Sequence, residues 1–239
     1  MDPLKFSVVI PLKDEEDNIA DLVDELEPVM ASLKEPWELI CIDDGSTDKT
    51  LSILTGIARQ KPFLKILCFD RNYGQSCAFD AGFQQAKGQW VITLDGDRQN
   101  DPRDIPKLYA LSDRYDLICG CRAKRQDPWH KKVSSKLANW IRSRVCRDQI
   151  KDTGCSLKLY RTSALKKIKM YKGMHRFLPA LFKIEGFRIT EVAVNHRERT
   201  KGSTKYNLFN RSFNTIFDML AVRWMDKRHL NYSIKKEIP

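Results

Sequence analysis

Apolar positions follow two rhythms along this chain. In the first half, short runs rich in β-branched residues at 6–12, 38–42, 64–69, 90–94 and 116–121 carry few polar interruptions, as strands covered on both faces of a sheet do. Between the first two runs, Ile19, Leu22, Val23, Leu26, Met30 and Leu33 recur at helical spacing. Ser46-Thr47-Asp48 then precedes Leu51, Leu54, Ile57 and Ala58, a helix start whose small side chains can accept from free N–H groups. The alternation predicts a βαβαβαβ unit, wound on both sides: an α/β, Rossmann-like domain with a mostly parallel central sheet. Past Gly120 the pattern predicts a basic segment to about 151, a strand and helix within 155–169, a strand at 189–194, a basic loop at 197–206 and a long amphipathic C-terminal helix over about 207–228.

A length of 239 residues suits one large domain. No apolar stretch is long enough to span a bilayer and the start shows no secretory signal, so a soluble or membrane-peripheral chain is expected. The seven cysteines are odd in number, and Cys41, Cys68, Cys119 and Cys121 lie in or beside apolar runs, where free cysteines act as small core residues. A reducing, cytoplasmic compartment follows. None of the four histidines stands near a cysteine pair at zinc-site spacing.

The net charge of +11 is unevenly divided. Residues 1–119 hold 13 basic against 22 acidic side chains (−9), and residues 120–239 hold 29 against 9 (+20). The first half is suited to managing a cation and the second to meeting phosphates or an acidic membrane surface. Nucleic acid is not expected, because no helix-turn-helix, zinc-finger or RNA-recognition signature accompanies the charge. A soft functional boundary near Gly120 separates residues 1–119 from residues 120–206, with 207–239 as the C-terminal helix and tail.

Three groups fall at the carboxyl ends of predicted strands, where open α/β sheets bind ligands: Pro11-Leu12-Lys13-Asp14-Glu15, Asp43-Asp44-Gly45-Ser46, and Asp95-Gly96-Asp97 with Gln99. An ionised Asp43 accepts only, matching the donor edge of uracil or guanine. Asp97 and Gln99 can offer oxygens from one side to Mg2+ or Mn2+, with Asp95 supporting the metal or a ribose. Each aspartate could instead be a turn acceptor.

These residues carry a resemblance. Val8-Val9-Ile10-Pro11 with Glu15, Ile42-Asp43-Asp44-Gly45-Ser46-Thr47-Asp48, Arg71-Asn72-Tyr73-Gly74 and Leu94-Asp95-Gly96-Asp97-Arg98-Gln99 together resemble glycosyltransferase family 2, and within it dolichyl-phosphate mannosyltransferases and bacterial polyprenyl-phosphate glycosyltransferases. The likeness extends through Gly120-Cys121-Arg122 and Arg125, Asp152-Thr153-Gly154-Cys155, and His196, Arg199, Gly202, Ser203, Lys205 and Tyr206. It implies a single glycosyltransferase A-type domain, a nucleotide-sugar donor and a divalent metal at Asp97 and Gln99. Donor contacts map onto Pro11, Glu15, Asp43, Asp95, Gly96, Arg122, Arg199 and Lys205. The chain departs at Asp14, where asparagine is usual, at Gly96, where alanine is common, and at Arg98, where leucine is usual.

A lipid phosphate acceptor already offers an anionic oxygen at neutral pH, whereas a sugar hydroxyl needs a base. The expected activity is therefore inverting transfer of a hexose to a polyprenyl phosphate, with Arg122, Arg125, Lys131 and Lys132 clamping the acceptor. Asp152 would position an arginine or the sugar. It becomes the base if the acceptor is a hydroxyl, or it merely caps the Gly154 turn. A non-catalytic nucleotide-sugar-binding scaffold is the reading from another class. Arg197, Arg199, Lys201 and Lys205 form either a lid over the diphosphate or a solvated surface. The stripe Phe209, Phe213, Ile216, Phe217, Leu220 and Trp224 packs on the core or lies on the cytosolic face of a membrane. An integral-membrane partner or a second copy of the chain is the further partner considered.

Overall fold

The computed structural model describes residues 3–122, 142–148, 150–198, 208–230 and 232–236, with backbone alone over 208–214. Seven strands form one sheet: β1 (Phe6–Leu12), β2 (Trp37–Asp43), β3 (Leu64–Cys68), β4 (Trp90–Thr93), β5 (Leu117–Arg122), β6 (Lys158–Arg161) and β7 (Ile189–Val194), in the order β3-β2-β1-β4-β6-β5-β7. The pairs β1–β2, β2–β3, β1–β4 and β5–β7 are parallel, and β6 runs antiparallel to both β4 and β5. The expected parallel repeat therefore holds through β4. β6 then inserts between β4 and β5, so these consecutive parallel strands are not neighbours. All strands but β6 run the same way, which brings the ends of β1, β2, β4 and β5 to one rim.

Residues of β1 alternate between two cores. Phe6, Val8, Ile10 and Leu12 face one, with α1 (Ile19–Ser32), α2 (Thr50–Gln60) and α4 (Ile105–Tyr109). Val9 faces the other, with α3 (Gln75–Gln85), α5 (Thr162–Leu165), α6 (Leu178–Ile184) and part of α7 (Leu208–Arg228). Helix α1 buries Ile19, Leu22, Val23, Leu26 and Met30 as its spacing predicts. Helix α2 begins at Thr50, whose N–H donates to Asp48 Oδ1 at 2.9 Å. Leu54 is buried there, but Leu51 is exposed rather than core-facing. Helix α3 approaches β1 closely: a Cβ at Gly82 would lie 2.4 Å from Val9 Cγ1, so only glycine permits this packing distance.

Cys41 and Cys119 are core residues, and burial pushes both thiols up to about 12. Cys68 is not; it is exposed at the end of β3, and Cys121 is half-buried.

Helix α7 leaves the described part of its stripe uncovered. Val222 is buried, with Met219, Ala221 and Met225 packed on the core, whereas Phe217 is 61% and Trp224 63% exposed, beside exposed Ile216 and Leu220. Phe209 and Phe213 lie where no side chain is described. Among the described residues, no helix is long and apolar enough to cross a membrane.

Candidate active site

The rim of the sheet is assembled from acceptor side chains that bind backbone N–H groups across loops. After β1, Asp14 takes a left-handed conformation, φ +50°, which aspartate tolerates better than most residues. Its N–H donates to Ser46 Oγ at 2.9 Å, and its carboxylate accepts from Thr47 N at 2.7 Å. Burial pushes the Asp14 carboxyl up, but the Thr47 and Lys13 contacts prevail and hold it below its usual value. Glu15 donates its N–H to Thr50 Oγ1 at 2.7 Å and accepts from Asn18 Nδ2 at 2.8 Å. These bonds join the first and second strand-end groups.

At the end of β2, Asp43 is buried and accepts from Ser46 N at 3.2 Å, with Cys68 Sγ 3.7 Å from its other oxygen. Asp44 accepts from Tyr73 N at 2.7 Å and Gly74 N at 2.9 Å, fixing the turn that opens α3. The next residue, Gln75, donates to Asp95 Oδ1 at 3.0 Å and so ties that turn to the third group.

Asp95-Gly96-Asp97 follows β4 across the crevice from β1, at the switch point of the strand order. A Cβ at Gly96 would lie 2.4 Å from Leu12 Cδ2 and 3.3 Å from Glu15 Cγ, so the glycine backbone rests against the end of β1. Asp97 is buried and Oδ1 accepts from Gln99 N at 3.2 Å, with Arg98 between them left-handed at φ +60°. Burial and then the charge of Asp97 push the Asp95 carboxyl up, against Ser156, Lys158 and Arg122. Two carboxylates crowded enough to repel are a donor set that a hard cation would relieve. Among the described residues, no group of three or more His, Cys, Asp or Glu side chains could hold an ion by itself. An ion here therefore fits only in the manner of Mg2+, with one or two carboxylates and the remaining positions left to substrate oxygens and water.

The opposite wall pairs a cation with an acid. Arg122 ends β5 and grips Asp152 bidentately: Nε to Oδ2 at 2.7 Å and Nη2 to Oδ1 at 2.8 Å, with its backbone N–H on Oδ2 at 3.1 Å. Glu191 of β7 holds the backbone of this acid in turn, accepting from Lys151 N at 2.9 Å and Asp152 N at 3.0 Å. A Cβ at Gly154 would stand 3.1 Å from Arg122 Nη2, so the glycine leaves the guanidinium its space.

The structure thus brings together Pro11, Glu15, Asp43, Asp95, Gly96, Asp97, Gln99, Arg122 and Asp152. Arg125, Lys131, Lys132, Arg199 and Lys205 lie outside the described residues. Sequence reasoning assigned no role to Gln75, Asn100, Lys158 or Glu25. Asn100 accepts from Ser156 Oγ at 2.5 Å, and its backbone bridges to His196. Lys158 is buried, with Nζ 3.3 Å from Thr153 O. A lysine inside the apolar run around Leu157 and Leu159 was the available signal for it.

Residues 7–169 match the family model described as "Glycosyl transferase family 2". The chain is 40% identical over 225 residues to a dodecaprenyl-phosphate galacturonate synthase of Rhizobium johnstonii, covering 92% of this chain and 66% of that protein. It is 36% identical over 219 residues to an undecaprenyl-phosphate 4-deoxy-4-formamido-L-arabinose transferase of Serratia proteamaculans, covering 91% and 67%. The chain therefore spans about two thirds of the length of these relatives. Among solved structures, glucosyl-3-phosphoglycerate synthase of Mycobacterium tuberculosis with Mn2+, UDP and phosphoglyceric acid aligns with a TM-score of 0.72 at 17% identity, over 92% of this chain and 78% of that one. Residues 1–349 of S. aureus TarS with UDP-GlcNAc align with a TM-score of 0.62 at 22% identity, over 93% and 67%. At these identities the solved structures speak for the fold.

Proposed function

Since this chain belongs to glycosyl transferase family 2, we propose that it transfers a hexosyl group, with inversion, from a nucleoside-diphosphate sugar to a polyprenyl phosphate. The names of the relatives at 36–40% identity support the acceptor class. The observation that carries the reading is the two-sided rim, with Asp43, Asp95 and Asp97 on one wall and the Arg122–Asp152 pair on the other.

In this reading Asp43 accepts from the base, Pro11, Glu15 and Gly96 line the donor cleft, and Asp95 lies beside the ribose and the metal. Asp97 and Gln99, aided by Asp95, would hold Mg2+ or Mn2+, which when bound supplies positive charge against the departing diphosphate. Arg122 faces phosphate, with Arg125, Lys131, Lys132, Arg199 and Lys205 as further cations for the acceptor or the diphosphate. An oxygen of the lipid phosphate attacks the anomeric carbon as the bond to the nucleoside diphosphate breaks, and in-line displacement inverts that carbon. No proton must be removed, because the lipid monoester is already ionised, with a second pKa of about 6. Asp152 suits a positioning role, since both its oxygens accept from Arg122 and orient that guanidinium.

The exposed apolar face of α7 supports docking on the cytosolic side of a membrane, where the acceptor headgroup lies. Phe217, Leu220 and Trp224 project beside Lys227 and Arg228, and each nearby cation adds about 1 kcal/mol on an anionic surface. The test is incubation with labelled nucleotide sugars, Mn2+ and undecaprenyl phosphate. Label extracted into chloroform is the expected result; donor hydrolysis without a lipid product would refute the acceptor assignment.

A further inference from the structure

We propose that Glu25 is a positioning residue for the donor site, clamping the turn that presents Asp97 and Gln99 to the segment His196–Arg197 that pairs with it; this rests on the donor reading above. Arg98 stands between those two side chains with a left-handed backbone, a conformation disfavoured for any residue bearing a Cβ. Such a backbone persists when its surroundings over-determine it. Here the guanidinium is bonded to Asp21 through Nη1 and to Glu25 through Nη2, two acids one turn apart on α1. Helix α1 is itself anchored, with Leu22, Val23 and Leu26 buried against the sheet.

The second oxygen of Glu25 accepts from Arg197 Nη1 at 2.5 Å. Arg197 Nη2 reaches Asp101 Oδ1 at 2.8 Å, and its backbone N–H donates to Gln99 O at 2.9 Å. His196, one residue earlier, bridges to Asn100. One carboxylate therefore binds the residue before Gln99 and the residue paired with Gln99. Burial pushes the Glu25 carboxyl up, but the bonds and charges of Arg197 and Arg98 prevail and keep it below its usual value, ionised at neutral pH. Glu25 reaches the turn through Arg98 and Arg197. Its effect on a ligand must pass through the backbone geometry of residues 97–99.

The test compares the intact wild-type chain with Glu25→Gln, Arg98→Gly and the double variant, measuring calorimetric binding of UDP, and separately GDP, in the presence of Mn2+, alongside thermal melting. Glu25→Gln keeps the side-chain shape and removes the charge. It should weaken metal–nucleotide binding about tenfold, as loss of a supporting partner of a metal ligand does. Glycine adopts the left-handed turn without a clamp, so Arg98→Gly in the Glu25→Gln background should recover most of the lost affinity. A purely structural role would lower the melting temperature without that recovery. Wild-type affinity in Glu25→Gln, or a double variant that binds no better than Glu25→Gln, would overturn the inference. A wild-type chain that binds neither nucleotide with Mn2+ would overturn the donor reading, and the clamp with it.

Discussion

Carboxylates on the two walls of the rim are held in different ways. On the β1, β2 and β4 side, Asp14, Asp43, Asp44, Asp48 and Asp97 accept chiefly from backbone N–H groups of neighbouring turns. On the β5 and β7 side Asp152 is gripped bidentately by Arg122, while Glu191 accepts from the amides behind it; elsewhere in the fold Asp148 meets Arg142, Asp116 meets Arg161 and Asp218 meets Arg176. An amide donor fixes a carboxylate while leaving its full charge, so Asp43, Asp44 and Asp97 stay negative toward an added cation, although Asp14 is also paired with Lys13. A bidentate arginine cancels the charge of its acid, and the acid in return fixes the direction of the guanidinium.

The contrast can be broken one residue at a time. Asp97→Asn removes charge from the amide-held wall and should lower transfer by more than about a hundredfold, beyond the usual effect of a supporting residue. Its melting temperature should stay close to wild type, since Asn can still accept from Gln99 N. Steady-state rates with melting curves check both. On the arginine wall, Arg122→Lys keeps the charge but loses the fork on Asp152, and should cost roughly tenfold in kcat/KM. Asp152→Asn should cost about as much. A loss of several thousandfold, together with a new requirement for high pH, would instead identify Asp152 as a base.

A third substitution probes the exposed face rather than the rim. Trp224→Ser should reduce binding to vesicles containing acidic phospholipid by about tenfold, read by co-sedimentation, because one large side chain no longer leaves water. Turnover of a short-chain soluble acceptor should be unchanged in that variant. The smallest effect concerns pH. Burial pushes Asp14, Asp48 and Asp101 up, but hydrogen bonds prevail, helped by Lys13 at Asp14 and by Arg103 and Arg197 at Asp101, and hold all three below their usual value. For carboxyls lowered in the folded state, the stabilisation is complete above the unfolded value and disappears as pH falls through the folded ones. The stabilisation that these three carboxyls supply should therefore be constant from pH 7 to about 5 and lost below about 4, read as the loss of melting temperature at acid pH that Asp14→Asn, Asp48→Asn and Asp101→Asn each reduce.

Much of this was legible in the sequence, and for a physical reason. Strands buried on both faces must be continuous apolar runs, and parallel strands end on one edge. The runs at 6–12 and 189–194 consequently match β1 and β7, and the other first-half strands differ by a residue at either end. The strand and helix expected within 155–169 are β6 and α5, but nothing in the four-residue pattern of β6, which includes Lys158, says that it inserts antiparallel between β4 and β5. The direction of the α7 stripe escaped because helical periodicity gives an apolar face without saying what covers it. Arg98 looked only like a departure from the family pattern. Its explanation, two acids on α1, lies 73 and 77 residues away in the chain.

The central claim is that a divalent cation held by the Asp95–Asp97 wall grips a nucleotide diphosphate at this rim. A crystal grown with MnCl2 and a nucleoside diphosphate, measured at the manganese absorption edge, tests it most directly. An anomalous peak at the Asp97 carboxylate, with the diphosphate against it, is the predicted result. A bound nucleotide with manganese elsewhere, or with the Asp95–Asp97 wall empty, would contradict it.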